Sequence, residues 1–283
     1  MLCPSFFHRS GFRTILRGAL TYFFGRRGQR RVAGLRLSYR LRMMVLVYSK
    51  VPIGKLARRS EARLWVDGEE AFARIERLLR RARHTIVIQM FIWIDDETGR
   101  RIAGILLDAA DRGVQVDIMK DAVGDFFEAS GDFLGTQSSS RECWRRFWNH
   151  PRIRVMYGTQ RDHAKVYVID DQILLLTGMN IADQYRSVYH DYLVELRGSR
   201  FVGQFLTRRA DETDTDGVRL VMNAEERRSV RPALMQLLHD ARESIIIEHS
   251  FISDPEVLDG VIAALRRRVR VTVILPSTND LHH

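Results

Sequence analysis

The chain has 283 residues, 45% hydrophobic and 28% charged, with a formal net charge of +10 and a pI near 10.1. That apolar content suffices for one large or two modest cores and excludes a disordered polyelectrolyte. Two isolated cysteines, Cys3 and Cys143, exclude a disulfide scaffold and indicate free thiols in a reducing compartment.

The charge is unevenly spread. Residues 1–60 hold fourteen of the 45 Lys and Arg and none of the 35 Asp and Glu, leaving 31 basic against 35 acidic groups for the remainder. A nucleic-acid groove needs its basic groups near the site, so this distribution argues against one. Within the leader, Phe12, Ile15, Leu16, Ala19, Leu20 and Phe23 recur at helical spacing, with Arg13 and Arg17 on another face. Such a helix suits the headgroup region of an anionic bilayer. A mitochondrial presequence or a disordered tail fits the same composition. Met43 to Tyr48 adds a short apolar run, and no stretch reaches the ~18 residues that span a membrane.

From residue 61 the pattern becomes that of an α/β domain. Ala71, Ile75, Leu78 and Leu79 mark a helix, and Thr85-Ile86-Val87-Ile88 a strand. A second helix carries Ile102, Ile105, Leu106 and Ala109 and ends at Gly113, before a strand from Val114 to Met119. Residues 121–151 read as a long connection rich in aromatics: Phe126, Phe127, Phe133, Trp144, Phe147 and Trp148. Such a connection often lines a site, although Trp144 and Phe147 suit local core better.

The run His163-Ala164-Lys165-Val166-Tyr167-Val168-Ile169-Asp170 is the most informative stretch. Strand residues i and i+2 share a face, so His163 and Lys165 point together while Ala164, Val166 and Val168 point into a core. An imidazole beside an ammonium is suited to phosphate chemistry, in which the ring attacks or moves a proton and the ammonium offsets oxyanion charge. After an Asp170-Asp171 turn, Gln172 to Thr177 reads as a buried strand ending in Gly178-Met179-Asn180. The glycine there allows close backbone approach to a ligand, and Asn180 offers an amide to a phosphate oxygen. His190-Asp191 opens another alternating run, Tyr192 to Leu196, and the Asp191 carboxylate is a candidate to orient the His163 imidazole.

Residues 211–217, Asp-Glu-Thr-Asp-Thr-Asp-Gly, form an acidic linker. Beyond it Ala241-Arg242-Glu243-Ser244-Ile245-Ile246-Ile247-Glu248 echoes Ala82-Arg83-His84-Thr85-Ile86-Val87-Ile88-Gln89. Each follows a helical pattern and precedes a helix and a strand, which indicates an internal duplication. Ser253 or Asp254 caps the later helix with Pro255 in its first turn, and a strand follows from Val269 to Leu275.

The string Asp162 to Asp170 followed by Gly178-Met179-Asn180 resembles the His-x-Lys-x4-Asp signature of the phospholipase D superfamily, and within it bacterial cardiolipin synthases. The resemblance implies an α/β fold: a phospholipase D-like lobe with a mixed sheet flanked by helices, followed by a truncated second copy. It divides the chain into a basic leader over 1–60, a first lobe over 61–210 and a partial second lobe over 217–283. It implies a metal-free, cofactor-free, two-step displacement at a phosphodiester. His163 becomes a phosphohistidine, Lys165 and Asn180 hold phosphate, Asp170 is a chiefly structural member of the catalytic motif, and Asp191 hydrogen-bonds the histidine. A second histidine would protonate the leaving alcohol. The chain holds one His-x-Lys; by the repeat spacing, the second is expected some forty residues beyond His283. The implied partners are an anionic phospholipid substrate, a membrane surface, and either a missing second lobe or a homodimer that pairs two His163 residues. The implied location is the cytoplasmic face of a bacterial inner membrane, with a mitochondrion as the alternative. A phospholipase or nuclease of the same superfamily, or an inactive membrane-associated fragment, are the competing functions.

Overall fold

The computed structural model describes residues 45–49, 62–121, 138–158, 163–207, 214–215, 218–223 and 227–276. The leader helix, Phe126, Phe127 and Phe133 lie outside the described residues.

In chain order the elements are β1 (Val45–Ser49), β2 (Ala62–Val66), α1 (Gly68–Arg81), β3 (Thr85–Met90), α2 (Glu97–Asp111), β4 (Gln115–Asp121), α3 (Ser138–Asn149) and β5 (Ile153–Gly158). Then come β6 (Lys165–Ile169), β7 (Ile173–Thr177), α4 (Asp183–Ser187), β8 (Tyr192–Arg197), α5 (Ser199–Leu206), β9 (Asp214–Thr215) and β10 (Val218–Met222). The last are α6 (Val230–Asp240), β11 (Ser244–Glu248), α7 (Pro255–Arg266) and β12 (Arg270–Ile274). Among the described residues, no helix is long and apolar enough to cross a membrane.

Seven strands form one mixed sheet in the order β2-β8-β7-β6-β3-β4-β5. β3, β4 and β5 run parallel, as their helical crossovers require, while β6 lies antiparallel to β3. One face packs on α1 and α2 through Phe72, Ile75, Leu79, Ile102 and Leu106. The other packs on α5 and β10 through Phe201, Phe205, Leu220 and Met222. Every residue of β6 is therefore buried, with Val166 and Val168 toward one core and Tyr167 and Ile169 toward the other.

Local chemistry sets the helix ends. Asp96 caps α2 by accepting from Gly99 N at 2.8 Å, and Gly113 beyond it adopts φ 100°, a conformation that favours glycine. Asp254 caps α7 by accepting from Glu256 N at 3.0 Å, with Pro255 at the first helical position. One ion pair sits inside the first lobe. Arg74 of α1 donates through Nε and Nη2 to Glu195 of β8 at 2.7 and 2.8 Å, and Glu195 is fully buried. Burial pushes that carboxyl up, yet the bonds from Arg74 and Arg197 overcome it and hold the pKa at about 2.

Three expectations change. The connection over 121–151 contains helix α3, whose Phe147 is 1% exposed and joins the core with Trp144 beside it, whereas Trp148 faces solvent. Inside the acidic linker, Asp214–Thr215 pairs with Val218 and Arg219. The apolar run near Tyr48 is β1, paired antiparallel with β10 from Val45↔Met222 to Ser49↔Val218. That segment, assigned to the leader, thus takes a strand partner far along the chain, a contact no local pattern encodes.

The candidate phosphate site

The site gathers at the end of the sheet where β3 and β4 finish and β6 begins. Carboxyl ends of parallel strands leave a crevice there, because each chain turns away into its crossover. His163 stands just before β6 and is exposed, while Lys165 behind it is 3% exposed. Lys165 Nζ donates to the His163 carbonyl oxygen at 2.8 Å and lies 2.9 Å from ring Nε2 and 3.1 Å from Nδ1. Phe91, immediately after β3, meets the imidazole edge-on with ring centroids 4.5 Å apart, and Lys165 Nζ is 5.5 Å from the same phenyl centroid. The predicted shared face of His163 and Lys165 is thus observed.

Electrostatics make the ring neutral. Partial burial and then the Lys165 ammonium both disfavour the imidazolium and lower the His163 pKa from 6.5 to about 4, against an opposing pull from Asp121. A neutral ring beside an ammonium is the combination a phosphorus nucleophile needs.

The carboxylate assignment changes. The described bonds of Asp191 go elsewhere: its Oδ1 accepts from its neighbour Tyr192 N at 2.7 Å. Burial raises its pKa, opposed by backbone bonds from Tyr192 and Gly178 and by the charge of Lys165. A Cβ on Gly178 would lie 2.5 Å from Asp191 Oδ2, so the close approach that Gly178 permits is by this carboxylate rather than by a ligand. The acidic charge felt by His163 is that of Asp121, 4% exposed at the end of β4. Sequence reading passed over it; the available signal was a Lys120-Asp121 pair closing a strand whose core-facing residues before it, Val116 and Ile118, are apolar.

Asn180 follows β7, whose Thr177 pairs with Lys165. It is 2% exposed, its Oδ1 accepts from Ile92 N at 3.1 Å and its Nδ2 donates to Tyr185 Oη at 2.8 Å. Both ends of the amide are engaged in pinning the segment after β3, next to Phe91. Ile94 N→Ile181 O at 3.0 Å and Ile181 N→Ile92 O at 3.1 Å continue that clamp. These bonds fix Asn180 in the wall of the site.

Asp170 stands at the opposite end of β6. It adopts φ 51° in the β6–β7 turn, and its carboxylate accepts from Arg83 N, His84 N at 2.7 Å and Thr85 N at 3.1 Å. These bonds fix the start of β3 against the end of β6 and place Asp170 outside the reacting centre. Among the described residues, no three His, Cys, Asp or Glu side chains form a group able to hold a metal ion.

Comparison with known proteins finds similar sequences and a shared fold. Residues 75–209 match the family described as "Cardiolipin synthase, PLD-like domain". Cardiolipin synthase B of Escherichia coli K12 is 26% identical over 253 residues, covering 78% of this chain and 61% of the relative. Cardiolipin synthase A of Pseudomonas syringae is 27% identical over 252 residues, covering 78% and 52%. The chain thus spans between half and two thirds of the length of these relatives. Phosphatidylserine synthase of Haemophilus influenzae shares the fold, with a TM-score of 0.57 at 14% identity over 76% of this chain and 61% of that one. Residues 75–209 are thus similar to a phospholipase D-like domain of the kind described for cardiolipin synthases, and the similarity to those enzymes extends over 78% of the chain.

Proposed function

We propose that this protein transfers a phosphatidyl group in phospholipid synthesis of the cardiolipin type. The observation that carries the reading is the neutral His163 ring with Lys165 Nζ 2.9 Å from Nε2 at an open sheet end. In the first step a ring nitrogen bonds to phosphorus, the phosphorus–oxygen bond to the first alcohol breaks, and a general acid protonates the departing oxygen. In the second step an acceptor alcohol attacks, gives its proton to the group that acted as the acid and is now a base, and the phosphorus–nitrogen bond breaks. Lys165 offsets the charge that builds on the equatorial oxygens. Neither step calls for a metal or a cofactor. The general acid is a second histidine, supplied by a further lobe or by a second copy of the chain. The acceptor pool is at a membrane surface, consistent with an Arg-rich, acid-free leader drawn to anionic lipid, and the favoured location is the cytoplasmic face of a bacterial inner membrane.

The test uses the full chain with phosphatidylglycerol vesicles, an alkaline quench and mass spectrometry. A phosphatidyl adduct on the His163 peptide is expected, absent in His163→Ala; Lys165→Met slows turnover about 10²–10³-fold. Lipid turnover undiminished in His163→Ala overturns the reading. Added glycerol separates transfer from hydrolysis, the competing reading favoured by the exposure of His163 to water. Cleavage of single-stranded DNA in place of lipid would assign a nuclease.

A further inference from the structure

The start of β8 meets the end of β11 through a group of polar side chains. His190 stands between two carboxylates. Its Nδ1 is bonded to Asp67 Oδ1, in the turn between β2 and α1, and its Nε2 lies 3.2 Å from Glu248 Oε1 at the end of β11. Tyr192 Oη donates to Glu248 Oε2 and is 3.1 Å from His190 Nε2. The two rings meet edge-on with centroids 5.1 Å apart. Asp67, His190 and Tyr192 belong to the lobe of the seven-stranded sheet, and Glu248 to the second helix–strand unit. The group therefore ties one to the other. It does so at the end of the sheet that carries His163, because Thr177 of β7 pairs with Leu193 on one side and Lys165 on the other.

A proton count sets the charge on the ring. Three contacts need one hydrogen each: Asp67 with Nδ1, Glu248 with Nε2, and Glu248 with Tyr192 Oη. Tyr192 supplies one and retains it. The bond to Glu248, then burial and the charges of Glu248, Asp67 and Asp191, push its pKa up to about 12. A neutral imidazole supplies one more and turns a lone pair toward the remaining carboxylate, whereas an imidazolium supplies two and satisfies both. Asp191, next in the chain, adds a negative charge felt by His190 and partly offset by Lys165. His249, which follows Glu248, is engaged within its own segment, its Nδ1 accepting from Phe251 N at 3.3 Å.

We infer that His190, as the imidazolium, docks the second helix–strand unit onto the first lobe, and that loss of its proton releases that unit beside the candidate site. The side chains of His190 and Glu248 are 48% and 32% exposed, so the effect is several-fold rather than orders of magnitude. This docking stands apart from the chemistry assigned to His163. Its consequence for the site is spatial: the released unit leaves the wall where Asp191 packs on Gly178.

The experiment is hydrogen exchange of the full chain at about pH 5.5 and about pH 8, which bracket ordinary histidine titration, with each rate divided by its intrinsic chemical rate. Residues 244–251 report the docking, and residues 85–90 of β3 are the internal reference. Protection of 244–251 relative to β3 is expected to fall about three- to fivefold from the acid to the alkaline condition. His190→Gln is expected to show low protection at both, and His190→Arg, which keeps the charge, high protection at both. Should His190→Gln disturb the first lobe, seen as lost protection in β3, Glu248→Gln replaces it, with loss of the pH response as the criterion. Equal protection of the unaltered chain at the two conditions overturns the inference, as does an undiminished pH response in the neutral variant. Absence of phosphatidylglycerol turnover would overturn the phosphatidyl-transfer reading and leave this exchange result standing.

Discussion

The same helix–strand–helix–strand unit occurs twice, and the two copies have different fates. In the first, α1-β3-α2-β4, the strands pair in parallel from Thr85↔Gln115, and Ile86, Ile88, Val116 and Ile118 are all between 0 and 1% exposed. In the second, α6-β11-α7-β12, the strands also pair in parallel, from Ser244↔Arg270, yet Ile246 is 72% and Ile274 47% exposed. The difference lies in the neighbours. β3 has β6 along its other edge and β4 has β5, whereas β11 and β12 pair only with each other among the described residues. A repeat pattern therefore specifies the unit but not its burial, and among the described residues the candidate site lies beside the first copy, next to the His163–Lys165 strand.

The comparison breaks most severely if the buried ion pair of the first lobe is split. Glu195→Leu leaves the Arg74 guanidinium without its partner in the core and is expected to cost about 3–5 kcal/mol in urea unfolding, most of it recovered in Arg74→Met/Glu195→Leu. Ile88→Ala, a truncation at a fully buried strand position, is expected to cost about 2–5 kcal/mol by the same measurement. Asp170→Ala strands the backbone N–H groups of residues 83–85 and is expected to cost about 1–3 kcal/mol, with His163 chemistry retained in proportion to folded protein.

Acid sharpens the same contrast. The folded-state pKa of His163 is about 4, below its ordinary 6.5, so between these values the unfolded chain binds a proton that the folded chain refuses. Stability contributed at this residue is present above pH 6.5 and is lost as pH falls toward 4. Relative to His163→Gln, the unaltered chain is expected to lose unfolding midpoint steadily across that window. The smallest effect belongs to the second copy: Ile246→Ala is expected to change stability by no more than about 0.5 kcal/mol, and a loss as large as that of Ile88→Ala would erase the distinction.

The legible part of this protein was local. Period-two alternation gave β6 and β8, period-3.6 stripes gave α1, α2 and α7, and an i, i+2 relation on one strand brought His163 to Lys165. These follow from the backbone repeat and hold whatever surrounds them. What tertiary structure alone decided was every partner across strands. Sheet order put Asp121 of β4 within charge reach of His163 and turned Asp191 onto Gly178. It closed Asn180 between Ile92 and Tyr185, joined Asp170 to residues 83–85, and paired Val45–Ser49 with β10. Short-range spacing fixes which way a side chain points, but the group it meets depends on which strand lies alongside, and that is set by the packing of the whole sheet.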